Sequence, residues 1–96
     1  MAGEDLWLGD RVPRLLQALR DAGMQVVAFH SEPETFGSWY VDVARGVNVL
    51  RVVADGKEQW VVVQAPLLGE WQDLHTWRAV TGADWIDAVI QTINDH

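Results

Sequence analysis

The chain has no cysteine, one tyrosine, two phenylalanines, three prolines, and only seven lysines and arginines against fourteen aspartates and glutamates. Each scarcity removes a class of explanation. Without thiols there is no disulfide framework, no thiolate nucleophile and no cysteine-bound metal. The formal charge is −7, and the few cations (Arg11, Arg14, Arg20, Arg45, Arg51, Lys57, Arg78) are scattered along the chain. Such a surface repels a phosphate backbone or an anionic membrane, so neither nucleic acid nor membrane is an expected partner. A long apolar run is also missing. Met-Ala-Gly-Glu-Asp opens on acids, and Leu6-Trp7-Leu8 is too short for a signal-peptide core or a membrane span. The expected location is the cytoplasm.

What is present describes a folded domain. The 96 residues are 49% hydrophobic and 22% charged, too apolar for disorder and long enough for one core. Residues 1–96 therefore read as a single domain, with no repeat, linker or low-complexity tract. Six tryptophans stand out. Each offers a large apolar area and an indole N–H that needs an acceptor, so together they dominate a core or an interface.

Periodicity places the elements. Val12, Leu15, Leu16 and Leu19 make one helical stripe, with Asp10 as the expected N-cap, Pro13 in the first turn and Gly23 as the stop. Met24 to His30 reads as a strand and Ser31 to Thr35 as an acidic loop closed by Phe36-Gly37. Three further strands follow in a meander: Trp39 to Ala44, Val47 to Ala54 and Trp60 to Ala65, joined by turns at Arg45-Gly46 and Asp55-Gly56. Asp-Gly is a strong signal for a two-residue hairpin with positive φ at both positions. Trp71, Leu74 and Trp77 recur at helical spacing and predict a short helix. Thr81 with Asp84 resembles a capping box, and Ile86, Val89, Ile90 and Ile93 form the stripe of a last helix ending near Asn94. The predicted class is α+β: a four-stranded antiparallel meander with N- and C-terminal helices packed on one face, in the order α-β-β-β-β-α-α.

Two-residue turns fix a register. Ala44 then faces Val47, and Ala54 faces Lys57. One sheet face carries Trp39, Val41, Val43, Leu50, Val52, Ala54, Val61 and Val63, a core face. The other carries Tyr40, Arg51 and Trp60 in one cross-strand row, with Asp42, Val49 and Val62 in the next and Val53 and Glu58 continuing it. That is more apolar than a solvated face should be. A guanidinium between two aromatic rings can stack on both, and Tyr, Arg and Trp are enriched at binding hot spots. Tyr40, Arg51, Trp60 and Asp42 are therefore candidate partner-binding residues, unless a helix or the 66–80 segment crosses the face and covers it. Glu32 and Glu34, flanking Pro33 in the acidic loop, are the second candidate surface, suited to a basic cleft.

Catalytic chemistry finds no comparable foothold. His30, His75 and His96 sit at unrelated spacings with no metal-ligand pattern, so no metal or other cofactor is expected. The carboxylates form no diagnostic pair. Ser31 follows His30 directly, and adjacent strand residues point to opposite faces. The glycines are isolated rather than gathered in a phosphate-cradling loop. No catalytic residue is assigned, and the chain is not expected to be an enzyme.

Phe36-Gly37-Ser38-Trp39, Leu50-Arg51-Val52-Val53, Asp55-Gly56, Trp60-Val61-Val62 and Glu70-Trp71 give the stretch from Phe36 to Trp71 a pattern that resembles small, mostly uncharacterised bacterial proteins, some of immunity-protein type. In that pattern a basic residue often surrounds the turn acid. Here Ala54 precedes it and Lys57 comes two residues later. The resemblance implies a meander sheet and no specific functional residue. Three functions remain open: an immunity protein or inhibitor that binds a toxin or enzyme, a basic one being the best match in charge; a homodimeric secretion chaperone or adaptor with the apolar row buried between protomers; and, least favoured, a small enzyme. The first allows a monomer and the second requires a dimer.

Overall fold

The computed structural model describes residues 6–78, 80 and 84–96. A short 3₁₀ turn, Gly9–Arg11, leads into helix α1, Val12–Asp21. Asp10 does not cap it. Arg11 occupies the N-cap position without a side-chain cap, and Asp10 is instead hydrogen-bonded to the Arg11 guanidinium. The stop at Gly23 is as expected, and its geometry is complete. Gly23 has φ 81°, its N–H donates to Arg20 O, and Met24 N–H donates to Leu19 O. Those two bonds are the Schellman pair that satisfies the last helical carbonyls.

Five strands follow, not four: β1 Gln25–Glu32, β2 Ser38–Arg45, β3 Asn48–Asp55, β4 Trp60–Leu67 and β5 Glu70–Arg78. They form one antiparallel sheet in the order β1-β2-β3-β4-β5. Helix α2, Asp84–Asp95, ends the chain. The Thr81 cap expected from the sequence lies outside the described residues. The element order is therefore a 3₁₀ turn and helix, five strands and one helix.

The extra strand is the segment whose spacing predicts a helix. Pro66 does not end β4. The chain continues to Leu67, turns through Leu68 (φ 54°) and Gly69 (φ 82°), and returns as β5. Two positive φ values in a two-residue turn are the type I′ pattern that suits the twist of a hairpin. A bulge at Leu74 then shifts the register of β5 between Val63/His75 and Gln64/Asp73. The bulge explains the misleading spacing. Trp71 ends on one face of the sheet, opposite Pro66, while Trp77, opposite Val61, and Leu74 pack against the core. Three residues that would share a helix face are divided between two sheet faces.

The core is one buried cluster. It joins Leu15 and Leu19 of α1, Trp85, Ile86, Val89 and Ile93 of α2, and the sheet residues Trp39, Val41, Val43, Leu50, Val52, Ala54, Val61 and Val63. These eight sheet residues are the core face that alternation predicts, and each is at most 1% exposed. Their cross-strand partners differ from expectation. Val41 faces Val52 and Trp39 faces Ala54, two residues from the predicted register, because Gly46-Val47 forms the β2–β3 turn. Val52 faces Val63, four residues away, because the β3–β4 connection is Gly56 to Gln59 rather than Asp55-Gly56. Asp55 holds that longer loop. Its carboxylate accepts from the Lys57 and Glu58 N–H groups at 3.0 and 3.1 Å, and its carbonyl accepts from Gln59 N–H at 2.8 Å. Both slips are even, so every side chain keeps its face.

The N-terminal segment clasps one end of the sheet. Trp7 N–H donates to Gly37 O at 2.9 Å, and the Trp39 indole N–H donates to Trp7 O at 2.7 Å. Gly56 passes beneath this clasp, donating its N–H to Ser38 Oγ at 3.0 Å.

Candidate functional site

The sheet face opposite the core cluster is the candidate site, and its order follows from the register. One row runs Ala28, Asp42, Arg51, Gln64, Asp73, and the next His30, Tyr40, Val53, Val62, Thr76. A third holds Asp55, Trp60 and Arg78. Tyr40, Arg51 and Trp60 therefore occupy three rows, not one, because the Gly46-Val47 turn moves Tyr40 two residues along the sheet and the longer β3–β4 loop moves Trp60 four.

Arg51 still lies between two aromatic rings, but the second belongs to Trp71. Its guanidinium carbon is 3.9 Å from the Tyr40 ring centroid and 4.2 Å from that of Trp71. Asp42, directly across in β2, accepts from Arg51 Nε at 2.7 Å and from an η nitrogen at 3.1 Å. Both side chains are about four-fifths shielded, with 21% exposure for Arg51 and 18% for Asp42. A two-point bond from carboxylate to guanidinium fixes the plane of the cation, which is what stacking between two rings requires. The hydrogen bond to Asp42 raises the Arg51 pKa above its ordinary value, with the Coulombic attraction of Asp42 adding to it against an opposing desolvation cost. The guanidinium is thus held charged, oriented and covered on both faces.

Trp60 has its own cation, with Arg78 4.7 Å from its ring centroid. Between these two aromatic groups lies Val62, 6% exposed yet outside the main core cluster. Gln64 donates to Asp73 at 2.8 Å between β4 and β5. The 66–78 segment therefore does not cross over the face; it extends the sheet and contributes Trp71 to it. Sequence reasoning misses Trp71 as a site residue because its spacing to Leu74 and Trp77 reads as helical. Its position beyond a hairpin turn from β4 is the available signal.

The acidic residues border this face. His30 stacks beside Tyr40 with ring centroids 5.1 Å apart, and its Nε2 lies 3.3 Å from Glu32. Glu32 and Glu34 line an open depression with His30, Ser31, Pro33 and Thr35. Glu34 sits in the exposed β1–β2 loop, away from the Arg51 clamp. A smaller apolar hollow of about 150 Å³, lined by His30, Glu32, Ser38, Trp39, Tyr40 and Val53, connects the acidic border to the aromatic face.

The remaining histidines lie elsewhere: His75 meets Trp77 in a tilted ring contact with centroids 4.5 Å apart, and His75 and His96 line a shallow depression with Leu74, Thr92 and Asp95. Among the described residues, no three His, Cys, Asp or Glu side chains are placed to hold a metal ion. No helix among them is long and apolar enough to cross a membrane. No protein-family model matches this chain, and no curated protein or solved structure is detectably similar to it.

Proposed function

We propose that this domain binds a protein partner through its helix-free sheet face and acts as an immunity protein or inhibitor, neutralising a toxin or enzyme by direct contact. The observation that carries this reading is the Tyr40–Arg51–Trp71 clamp secured by Asp42. It gives an open sheet face a rigid, pre-oriented group of the residue types that anchor interfaces. Glu32 at the border of this face and Glu34 in the adjoining β1–β2 loop, on a chain of net charge −7, favour a basic partner and association that slows as salt is added. In this reading the protein works in the cytoplasm, a compartment in which a chain without cysteine loses nothing.

The test is capture of a partner by the tagged protein from its native lysate at low and high salt, beside a Tyr40→Ala/Trp71→Ala variant. The expected result is a stoichiometric basic protein held by the wild type, weakened by salt and lost by the variant. Retention of that protein by a folded variant would remove the clamp as the contact. A variant with Glu32 and Glu34 changed to Gln separates the acidic border from the aromatic face.

A further inference from the structure

The hollow between the acidic border and the aromatic face has a size and a chemistry of its own. Its volume is about 150 Å³, and it is lined by His30, Glu32, Ser38, Trp39, Tyr40 and Val53. Pockets for drug-sized molecules run from about 300 to about 1,000 Å³, so this one has room for a single side chain. Its wall is mostly apolar, and one carboxylate, Glu32, stands at it half exposed. The charge of that carboxylate is not cancelled. His30 Nε2 lies 3.3 Å away, but histidine counts as neutral at pH 7. The Arg51 guanidinium beside Tyr40 is already committed, through its two-point bond, to Asp42.

An apolar wall with a negative charge beside it complements a side chain that is apolar along its stem and cationic at its tip. Lysine and arginine both answer that description, and the rings decide between them. Arginine gains by laying its planar guanidinium on an aromatic face. Tyr40 has none to spare: Arg51 of β3 lies 3.9 Å from its ring centroid, and the His30 ring of β1 lies 5.1 Å from it on the other flank. A compact ammonium needs no such face.

We propose that this hollow is a specificity pocket for one lysine side chain of the basic partner, its stem against Val53 and Tyr40 and its ammonium paired with Glu32. The proposal rests on the docking reading and sharpens it: the Arg51 clamp anchors the partner, and the hollow reads one of its residues.

The probe is Nα-acetyl-lysine N-methylamide, titrated into the whole chain near neutral pH and followed by backbone-amide NMR. Saturable shifts are expected at His30, Tyr40 and Val53, with a dissociation constant of about 1–10 mM, the range open to so small a ligand. Glu32→Gln, checked for folding by its own spectrum, is expected to weaken binding about threefold or more. The norleucine and arginine counterparts of the probe are expected to bind more weakly than lysine. Absence of saturable shifts at these residues overturns the proposal. So does a norleucine probe that binds as tightly as lysine, an affinity unchanged by Glu32→Gln, or an arginine probe that binds more tightly. Because the probe needs no partner, the two readings fail separately. A lysine probe that does not bind leaves capture of a basic protein by the clamp untouched, whereas a probe that binds while no partner is captured fails the docking reading alone.

Discussion

Gly56 is glycine because of what lies above it. A Cβ built there would fall 1.8 Å from the Phe36 carbonyl oxygen and 3.2 Å from Trp7 Cβ. The first of these is backbone, and it belongs to the loop that the Trp7 clasp holds down. Gly56→Ala is therefore expected to destabilise the fold by about 3 kcal/mol or more, as overpacking against backbone does. Gly46 is the control: its φ is 62°, but a Cβ on it would meet nothing within 4 Å, so Gly46→Ala should cost only about 1 kcal/mol. Urea unfolding of the two variants decides it, and equal losses would show that the close approach at Gly56 does not matter. Leu68 presents the reverse case. It is 96% exposed at φ 54°, a bulky residue in the slot of a type I′ turn that Asn or Gly fills without strain. Leu68→Asn is expected to stabilise the protein by about 0.5–1 kcal/mol, read as a higher urea midpoint at unchanged slope. A lower midpoint would mean that the leucine side chain contributes more than its backbone costs.

At the scale of elements, β5 and the Arg51 clamp depend on each other. Pro66 has no N–H to give to a neighbouring strand, and the β3–β4 pairing runs only from Asp55↔Trp60 to Arg51↔Gln64. Arg51 in β3 reaches across β4 to stack on Trp71 in β5 and so ties together two strands that are not neighbours. Arg51→Lys loses both the two-point bond to Asp42 and the planar stack, an expected cost of about 1–2 kcal/mol. In a double-mutant cycle with Trp71→Ala, a coupling of about 0.5–1 kcal/mol is expected; strictly additive losses would reduce the stack to mere adjacency. The same strand marks the limit of what the sequence discloses. Alternation makes the core face legible, and even-numbered errors in turn length leave it intact. Turn length itself is not legible: the Asp55 carboxylate gathers Lys57 and Glu58 N–H groups into a longer loop where Asp-Gly suggests a tight one. A bulge at Leu74 converts a strand into an apparent helical period, and with it hides Trp71. Thus Tyr40, Arg51 and Asp42 can be grouped from sequence, whereas the partner ring over Arg51 cannot, because it depends on a hairpin and a bulge together.

For the whole molecule, helices and sheet divide the labour. α1 and α2 meet each other and bury one sheet face, so the opposite face needs no helix for its own order; its side chains pair with one another through the Asp42–Arg51, Gln64–Asp73 and Trp60–Arg78 contacts. The order β1-β2-β3-β4-β5 also has a consequence in time. Each strand's neighbour in space is its neighbour in the chain, so the sheet can zip up hairpin by hairpin, with little loop-closure entropy lost at any step. Among the described residues the distant closures include Trp7 onto Gly37 and Trp39, and α2 onto α1 and β4. A folding route that builds local pairs first and locks them last through those two contacts makes the Trp39 indole N–H a reporter of the final step, because its acceptor, the Trp7 carbonyl, arrives only with the N-terminal segment.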